Sequence, residues 1–267
     1  MPSWYLGTMG FAYEPWRGVF YPPGVASRAY LAHYSRVFNA VELDSTFYGA
    51  PRPATLHQWA AQTPPDFRFC PKTPREITHE HSLAPDRGAV DAMLAFLDTT
   101  RVLGRRLGPV LIQLPPSFGP EQREALAGFL AALPADLRYA VELRHRGWYT
   151  PTTADLLRSF GVAWVALDYL DLPRQVHVTA DFLYIRWVGQ HGRWEQRGRE
   201  EIDVTPQLRW WWEQLQPALG QTGEVYGFFN DDYAGYAPAT CNRLKAMAGL
   251  PVVEPEIPQQ GTLFGEI

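Results

Sequence analysis

Cysteine is scarce in this sequence, with two residues among 267. Cys70 and Cys241 both lie in apolar surroundings, and the chain opens without a signal-like segment. A disulfide framework needs several paired cysteines and an oxidising compartment. The sequence therefore predicts two reduced thiols in a cytoplasmic protein.

An excess of basic residues is also lacking. Lysine and arginine number 24 and aspartate and glutamate 28, which gives a formal net charge of −4. Such a balance excludes a global basic field of the kind that binds nucleic acid non-specifically, but it does not exclude a local basic groove. No apolar run approaches the length of a membrane span, so no membrane partner is expected. Hydrophobic content of 46% and charged content of 19% are typical of a globular protein.

Aromatic residues, in contrast, are abundant at 14%, with ten tryptophans.

A second conspicuous feature is a repeat: residues 40–43 read Ala-Val-Glu-Leu, and residues 140–143 read the same. A short, continuous apolar run is typical of a strand buried on both faces, as in a parallel sheet. Glutamate is rarely buried without a partner. Glu42 and Glu142 are therefore either neutralised by structural partners or members of one site.

Six further apolar runs are also predicted to be strands, which gives eight strands in all. Most of the predicted strands are followed by a helical pattern, and the chain length suits a single barrel. We predict an α/β fold, a (β/α)8 TIM barrel over residues 1–248, followed by a flexible, extended C-terminal tail over residues 249–267. The eight predicted strands are 4–7, 40–43, 67–72, 109–114, 140–143, 163–167, 182–187 and 224–229.

Polar residues stand at the carboxyl ends of these strands. In a TIM barrel those ends meet at one mouth, where active sites are built. The fold rule thus predicts a polar ring at the barrel mouth. Its members are Thr8, Glu42, Asp44, Lys72, Gln113, Glu142, Arg144, Asp168, Arg186 and Asn230.

Several motifs together resemble those of the YecE-like family, domain of unknown function seventy-two. The resemblance covers nearly the whole chain and implies a TIM-barrel fold. It supplies no established reaction, so it assigns no catalytic residue. The motifs are residues 7–13 with Trp16, 41–48, Lys72 with Thr78 and His79, 111–116, 141–144, and 228–231 with 235–237.

For the ring we prefer the hypothesis of a site that binds a phosphate-bearing or other anionic ligand, with nucleic-acid phosphate among the candidates. Lys72, Arg144 and Arg186 supply cations, and Gln113 and Asn230 supply neutral donors. Arginine offers a planar bidentate fork to phosphate or carboxylate, and lysine offers a point charge. Thr8 and Asp44 complete the predicted ligand-binding set.

Two alternatives stay open. Paired carboxylates at suitable separation hydrolyse glycosidic bonds, and Glu42, Glu142 and Asp168 are the candidate catalytic residues of such a hydrolase. The other alternative is a non-catalytic scaffold, in which Lys72 and Arg144 neutralise the carboxylates in a structural ion network.

A divalent metal is a further alternative for this end of the fold. Glu142 and His145 are close in sequence, and His79, His81 and Asp168 stand in nearby loops. No His-x-Glu or paired His and Cys spacing marks a metal motif. The cofactor is therefore left unassigned.

The tail contains a short motif of its own. Gln260, Leu263 and Phe264 fit the Gln-x-x-Leu-Phe pattern with which bacterial replication and repair proteins dock on the sliding clamp. Apolar residues on an extended terminus suit a peptide ligand. The motif predicts a sliding-clamp partner and, through it, a link to DNA repair.

Overall fold

The computed structural model describes residues 2–195 and 198–257. Within these ranges the chain forms nine strands. Most are short and completely buried, as expected for strands with apolar residues on both faces. The strands are β1 (Ser3–Thr8), β2 (Ala40–Leu43), β3 (Arg68–Pro71), β4 (Val110–Gln113), β5 (Tyr139–Glu142), β6 (Ala163–Trp164), β7 (Ala166–Asp168), β8 (Phe182–Trp187) and β9 (Glu224–Phe229).

Helices occupy most of the segments between strands. Four of them have a proline in the first turn, where its missing N–H leaves no hydrogen bond unmade. The helices are α1 (Tyr30–Val37), α2 (Pro53–Gln62), α3 (Ala89–Thr100), α4 (Arg123–Ala131), α5 (Pro151–Ser159), α6 (Thr205–Leu219), α7 (Asp231–Ala234) and α8 (Ala237–Met247).

All strand pairs are parallel, and they form three sheets. Their orders are β1-β9-β8-β7, β2-β3 and β4-β5-β6. Isolated bridges link the sheets: Met9 pairs with Glu42, and Lys72 pairs with Leu111. Because the strands are parallel, their carboxyl ends share one edge, and the register sets Gln113 beside Glu142 there.

The apolar core lies on both sides of the strands. Aromatic side chains fill much of it, and the Trp187 and Phe229 rings stack with centroids 4.2 Å apart. Trp187 and Trp211 of α6 meet edge to face at 6.1 Å. Much of the high aromatic content therefore serves packing between helices and sheet.

The predicted α/β class is confirmed, and the structure corrects some element boundaries. The sixth predicted strand, 163–167, is broken at Val165 into β6 and β7. The predicted loop at residues 78–81 is partly helical, since Glu76–Glu80 forms one π-helical turn. Both differences are tertiary effects that local pattern does not encode.

The two cysteines are buried and unpaired, as the sequence predicted. No helix in the described parts of the chain is both long and apolar enough to cross a membrane. Residues 249–257 contain no helix or strand, although the Asn242 side-chain amide donates to the carbonyl oxygen of Val253 at 3.0 Å. The proposed clamp residues Gln260, Leu263 and Phe264 lie outside the described residues, so their role stays a prediction.

Candidate functional site

One guanidinium joins the two glutamates of the repeated segment. Arg186 Nε lies 3.2 Å and 3.0 Å from the two carboxylate oxygens of Glu42, and its Nη2 lies 2.7 Å from Oε1. Arg186 Nη1 donates to Glu142 Oε2. Glu42 and Glu142 are 0% exposed and Arg186 is 2% exposed. We call these three residues the buried ion cluster. The two glutamates are thus held by the same cation.

The strands place the cluster. Glu42, Glu142 and Arg186 lie at or near the carboxyl ends of β2, β5 and β8. Side chains two residues apart on a strand point to the same face, so Tyr184 points the same way as Arg186. The Tyr184 hydroxyl donates to Glu42 Oε2 at 2.8 Å.

The two carboxyl groups differ in their electrostatics. Burial raises the pKa of Glu42 to about 7, because Arg186 compensates only in part and Asp44 adds a like charge. Burial also acts on Glu142, but Arg186 and Arg144 outweigh it and lower its pKa to about 2. Glu142 is therefore ionised at neutral pH, whereas Glu42 is close to its midpoint.

A cavity of about 280 Å³ opens against this cluster at the strand ends. We call it the cationic cavity, because one lysine and two arginines line it. Its lining residues are Asp44, Phe47, Tyr48, Lys72, Gln113, Arg144, Arg186, Val188, Asn230 and the histidines His79 and His191.

Lys72 is half-buried in the wall of the cationic cavity. Its ammonium lies 4.1 Å from the ring centroid of Phe47, a cation–π contact. Among the described residues no carboxylate lies within 4.0 Å of it. Burial lowers the pKa of Lys72, and the nearby Asp44 opposes that shift.

Arg144 reaches the cavity from the segment after β5. Its Nε donates to Glu142 Oε1 at 2.6 Å, and its guanidinium lies 4.3 Å from the ring centroid of Tyr169. Its two Nη groups make no hydrogen bond to any residue in the described ranges. They form a fixed fork of unused donors.

Polar groups on the remaining walls have partners of their own. Asn230 accepts from the backbone N–H of Asp232 at 2.8 Å and begins α7. Gln113 donates to the carbonyl oxygen of Leu114 at 2.8 Å. One carboxylate oxygen of Asp44 is buried with no hydrogen-bond partner among the residues that the structure describes, and it lies 3.7 Å from Arg186 Nη2.

His79 and His191 are the two histidines in the lining of the cationic cavity. Burial, with Lys72 and Arg144 nearby, lowers the pKa of His79 to about 4, so this imidazole is neutral at neutral pH. His191 Nδ1 lies 3.2 Å from Asp232 Oδ2. The sequence analysis named His79 in a family motif and as a possible metal ligand. It did not place His191, Phe47 or Tyr48 in the site, because none of them directly follows a strand end.

Most of the predicted ring is brought together. Asp44, Lys72, Gln113, Arg144, Arg186 and Asn230 line the cationic cavity, and Glu42 and Glu142 contact Arg186 beneath it.

Two predicted members lie elsewhere. Asp168 lines a different cavity, where its carboxylate accepts from Trp211 Nε1 at 2.7 Å and from the Tyr233 hydroxyl at 2.9 Å. The Thr8 hydroxyl is buried 2.6 Å from the carbonyl oxygen of Gly10 and does not line the cationic cavity. Their assigned roles stay predictions.

The metal alternative gains no support from the geometry. In the ranges that the structure describes, no three histidine, cysteine, aspartate or glutamate side chains are grouped so as to hold a metal ion.

These features define a parallel α/β protein with an ion cluster buried at its strand ends. The family described as protein of unknown function DUF72 matches residues 5–262. The chain therefore belongs to the DUF72 family, which confirms the membership predicted from its motifs.

Relatives and solved structures agree with this assignment. UPF0759 protein YecE from two Escherichia coli strains is 31% identical over 290 residues, covering 97% of this chain and 99% of the relative. UPF0759 protein YunF from Bacillus subtilis is 31% identical over 160 residues, 58% of this chain and 56% of the relative.

The crystal structure of a DUF72 family protein from Thermotoga maritima has a TM-score of 0.79 at 29% identity, covering 92% of this chain and 99% of that one. A second, from Enterococcus faecalis, has a TM-score of 0.75 at 21% identity over 94% and 99% of the two chains, and shows the fold alone.

Proposed function

We propose that this protein binds a phosphate-bearing ligand in the cationic cavity. The observation that carries the proposal is Lys72, a half-buried ammonium in the cavity wall with no carboxylate within 4.0 Å in the described ranges. A charge withdrawn from water is costly unless it is paired. Asp44, Glu142 and Glu42 act on Lys72 only from beyond 4.0 Å, and a bound anion would supply a partner in direct contact.

Arg144 supports the same ligand chemistry. Glu142 holds its Nε, and Tyr169 stacks against its guanidinium. The orientation of the Nη fork is therefore set before a ligand arrives, which lowers the entropic cost of binding. A planar fork of this kind matches two oxygens of a phosphate group.

The glutamates support binding rather than glycoside hydrolysis. All four carboxylate oxygens of Glu42 and Glu142 accept hydrogen bonds from Arg186, Arg144 or Tyr184. Both residues are 0% exposed. A general acid or nucleophile must reach the substrate, whereas an orienting carboxylate need only hold its arginine.

We include in the proposal that the three sheets close as one (β/α)8 barrel with the cationic cavity at its mouth. The Met9–Glu42 and Lys72–Leu111 bridges support closure between β1 and β2 and between β3 and β4. The Val165 N–H donates to the carbonyl oxygen of Val141 at 3.0 Å, which carries pairing across the break between β6 and β7. Phosphate sites are common at the mouths of such barrels.

The test compares the chain's two lysines. Lys72→Met removes the cavity ammonium, and Lys245→Met removes one that is also partly buried but lies near Phe38. Calorimetric titration with inorganic phosphate should show affinity reduced about 10-fold or more by Lys72→Met, the size of one charge-assisted hydrogen bond. Lys245→Met should leave affinity unchanged. Equal affinities of the wild type and Lys72→Met would refute the proposal.

A further inference from the structure

Tyr48 stands at the cationic cavity with its ring almost fully in solvent. It is 88% exposed, the largest exposure among the exposed large hydrophobic residues of the described ranges. Its contact with the Phe47 ring is edge to face, with centroids 5.5 Å apart at 81°. A flat aromatic face is thus left open beside the phosphate-binding groups.

The turn that carries Tyr48 is anchored. The Thr46 hydroxyl lies 2.7 Å from the carbonyl oxygen of Leu43 and 2.6 Å from that of Lys72, and it accepts from the Lys72 N–H at 2.9 Å. The 3₁₀ turn Asp44–Tyr48 is therefore fixed to the end of β3. An exposed ring keeps most of its apolar surface in water, and the only ring contact that Tyr48 makes among the described residues is the one with Phe47.

Phe47 connects this ring to the ammonium. Its ring centroid lies 4.1 Å from Lys72 Nζ and 5.5 Å from the centroid of the Tyr48 ring. Phe47 thus contacts both the proposed phosphate-binding ammonium and the exposed tyrosine, which places the two near each other. A ligand that carries an anionic group and a flat ring close together can contact both.

We infer that the ligand is a nucleoside phosphate, whose base stacks on Tyr48 while its phosphate occupies the cationic cavity. This inference rests on the proposed function. The cavity volume of about 280 Å³ is just below the range of small-molecule sites, roughly 300–1,000 Å³. It suits a phosphate and its sugar, with the base outside against the tyrosine ring. The same chemistry occurs in a free nucleotide and at a phosphorylated end of an oligonucleotide.

The experiment titrates the full chain with four probes: inorganic phosphate, ribose 5-phosphate, adenosine 5′-monophosphate and a 5′-phosphorylated oligonucleotide. Base–aromatic stacking contributes enough to change affinity by about 10-fold or more. Tyr48→Ala should weaken binding of adenosine 5′-monophosphate by that factor and leave inorganic phosphate and ribose 5-phosphate unaffected. Tyr48→Phe keeps the ring and should retain wild-type affinity.

A matched control is Phe160→Ala, which removes another partly exposed aromatic ring, 36% exposed and absent from the cavity lining. It should change none of the four affinities. Tighter binding of the free nucleotide or of the oligonucleotide identifies the source of the nucleoside phosphate.

The outcomes separate the two proposals. If inorganic phosphate binds in a Lys72-dependent way but adenosine 5′-monophosphate binds no tighter than ribose 5-phosphate, the nucleoside inference is wrong and the phosphate proposal survives. The inference also falls if Tyr48→Ala weakens all four probes equally. If no probe binds the wild type, both proposals fall.

Discussion

At the scale of single residues, Arg186 determines how the repeated glutamates behave. It donates to both carboxylates while its own burial is nearly complete. Glu42 shares this cation with Glu142, but only Glu142 has Arg144 as a second one. The unequal supply of positive charge explains why the pKa of Glu42 is raised and that of Glu142 is lowered.

Two isosteric variants test this difference through stability. The pKa of Glu142 is about 2 in the folded protein, so its stabilising charge is present above its unfolded pKa and lost as pH falls toward 2. Glu142→Gln should lower the free energy of unfolding at neutral pH by about 3–5 kcal/mol, because it leaves buried arginine charge uncompensated. Glu42→Gln should cost clearly less, since the pKa of Glu42 near 7 means that half of it is already neutral there. Urea unfolding of both variants measures this, and equal losses would contradict it.

Anion affinity should depend on pH through Glu42. Protonation of this carboxyl, with its pKa raised to about 7, removes one negative charge beneath the cationic cavity. Sulfate, which does not titrate near neutral pH, should therefore bind several-fold more tightly as pH falls from about 8 to about 6. The protein should take up protons when sulfate binds. Calorimetry in buffers of different ionisation enthalpy measures both quantities.

Tyr184→Phe is the matched variant for this pH dependence. The Tyr184 hydroxyl donates to Glu42 and thereby lowers the carboxyl pKa. Its removal should move the midpoint of sulfate binding to higher pH while keeping the aromatic packing. His191→Gln tests the neighbouring imidazole, and a pH dependence that vanishes in this variant would assign the proton to His191 instead.

At the scale of elements, short buried strands were the most predictable part of the fold. Continuous apolar runs located β2, β4 and β8 because burial on both faces leaves a direct composition signal. The break at Val165 and the π-helical turn Glu76–Glu80 left no such signal. Both depend on residues that are distant in the sequence, and local secondary-structure propensity does not include such contacts.

The loop after β7 contains a strained position that can be relieved. Leu170 has φ of +47° and is 55% exposed. This left-handed conformation costs a leucine roughly 1 kcal/mol, whereas asparagine tolerates it. Leu170→Asn should raise the free energy of unfolding by up to about 1 kcal/mol in urea titrations. Leu170→Ala removes the same apolar surface but keeps the strain, so a gain of equal size in that variant would exclude backbone relief as the cause.

At the scale of the whole molecule, the sequence predicted the α/β class and most of the cavity lining, because one fold rule gathers strand ends at one edge. The same rule placed Asp168 and Thr8 in the ring, yet the Asp168 carboxylate accepts from Trp211 and Tyr233 and the Thr8 hydroxyl contacts the Gly10 carbonyl oxygen, and neither residue lines the cationic cavity. The end of a strand determines which edge of the sheet a residue occupies, but it does not determine where its side chain points. Tyr48 and His191 escaped the rule because turns and loops, rather than strands, bring them to the cavity.

The buried ion cluster also has a consequence for folding. Its members come from three strands, and the contacts of Arg186 span 144 residues to Glu42 and 44 to Glu142. A partly folded chain in which only one of these strands is in place would bury a charge without its counter-charge. Such partly folded forms are therefore higher in free energy. The cluster therefore makes assembly of this end of the sheet cooperative, and fragments that lack β2 or β5 should not hold β8 in its native position.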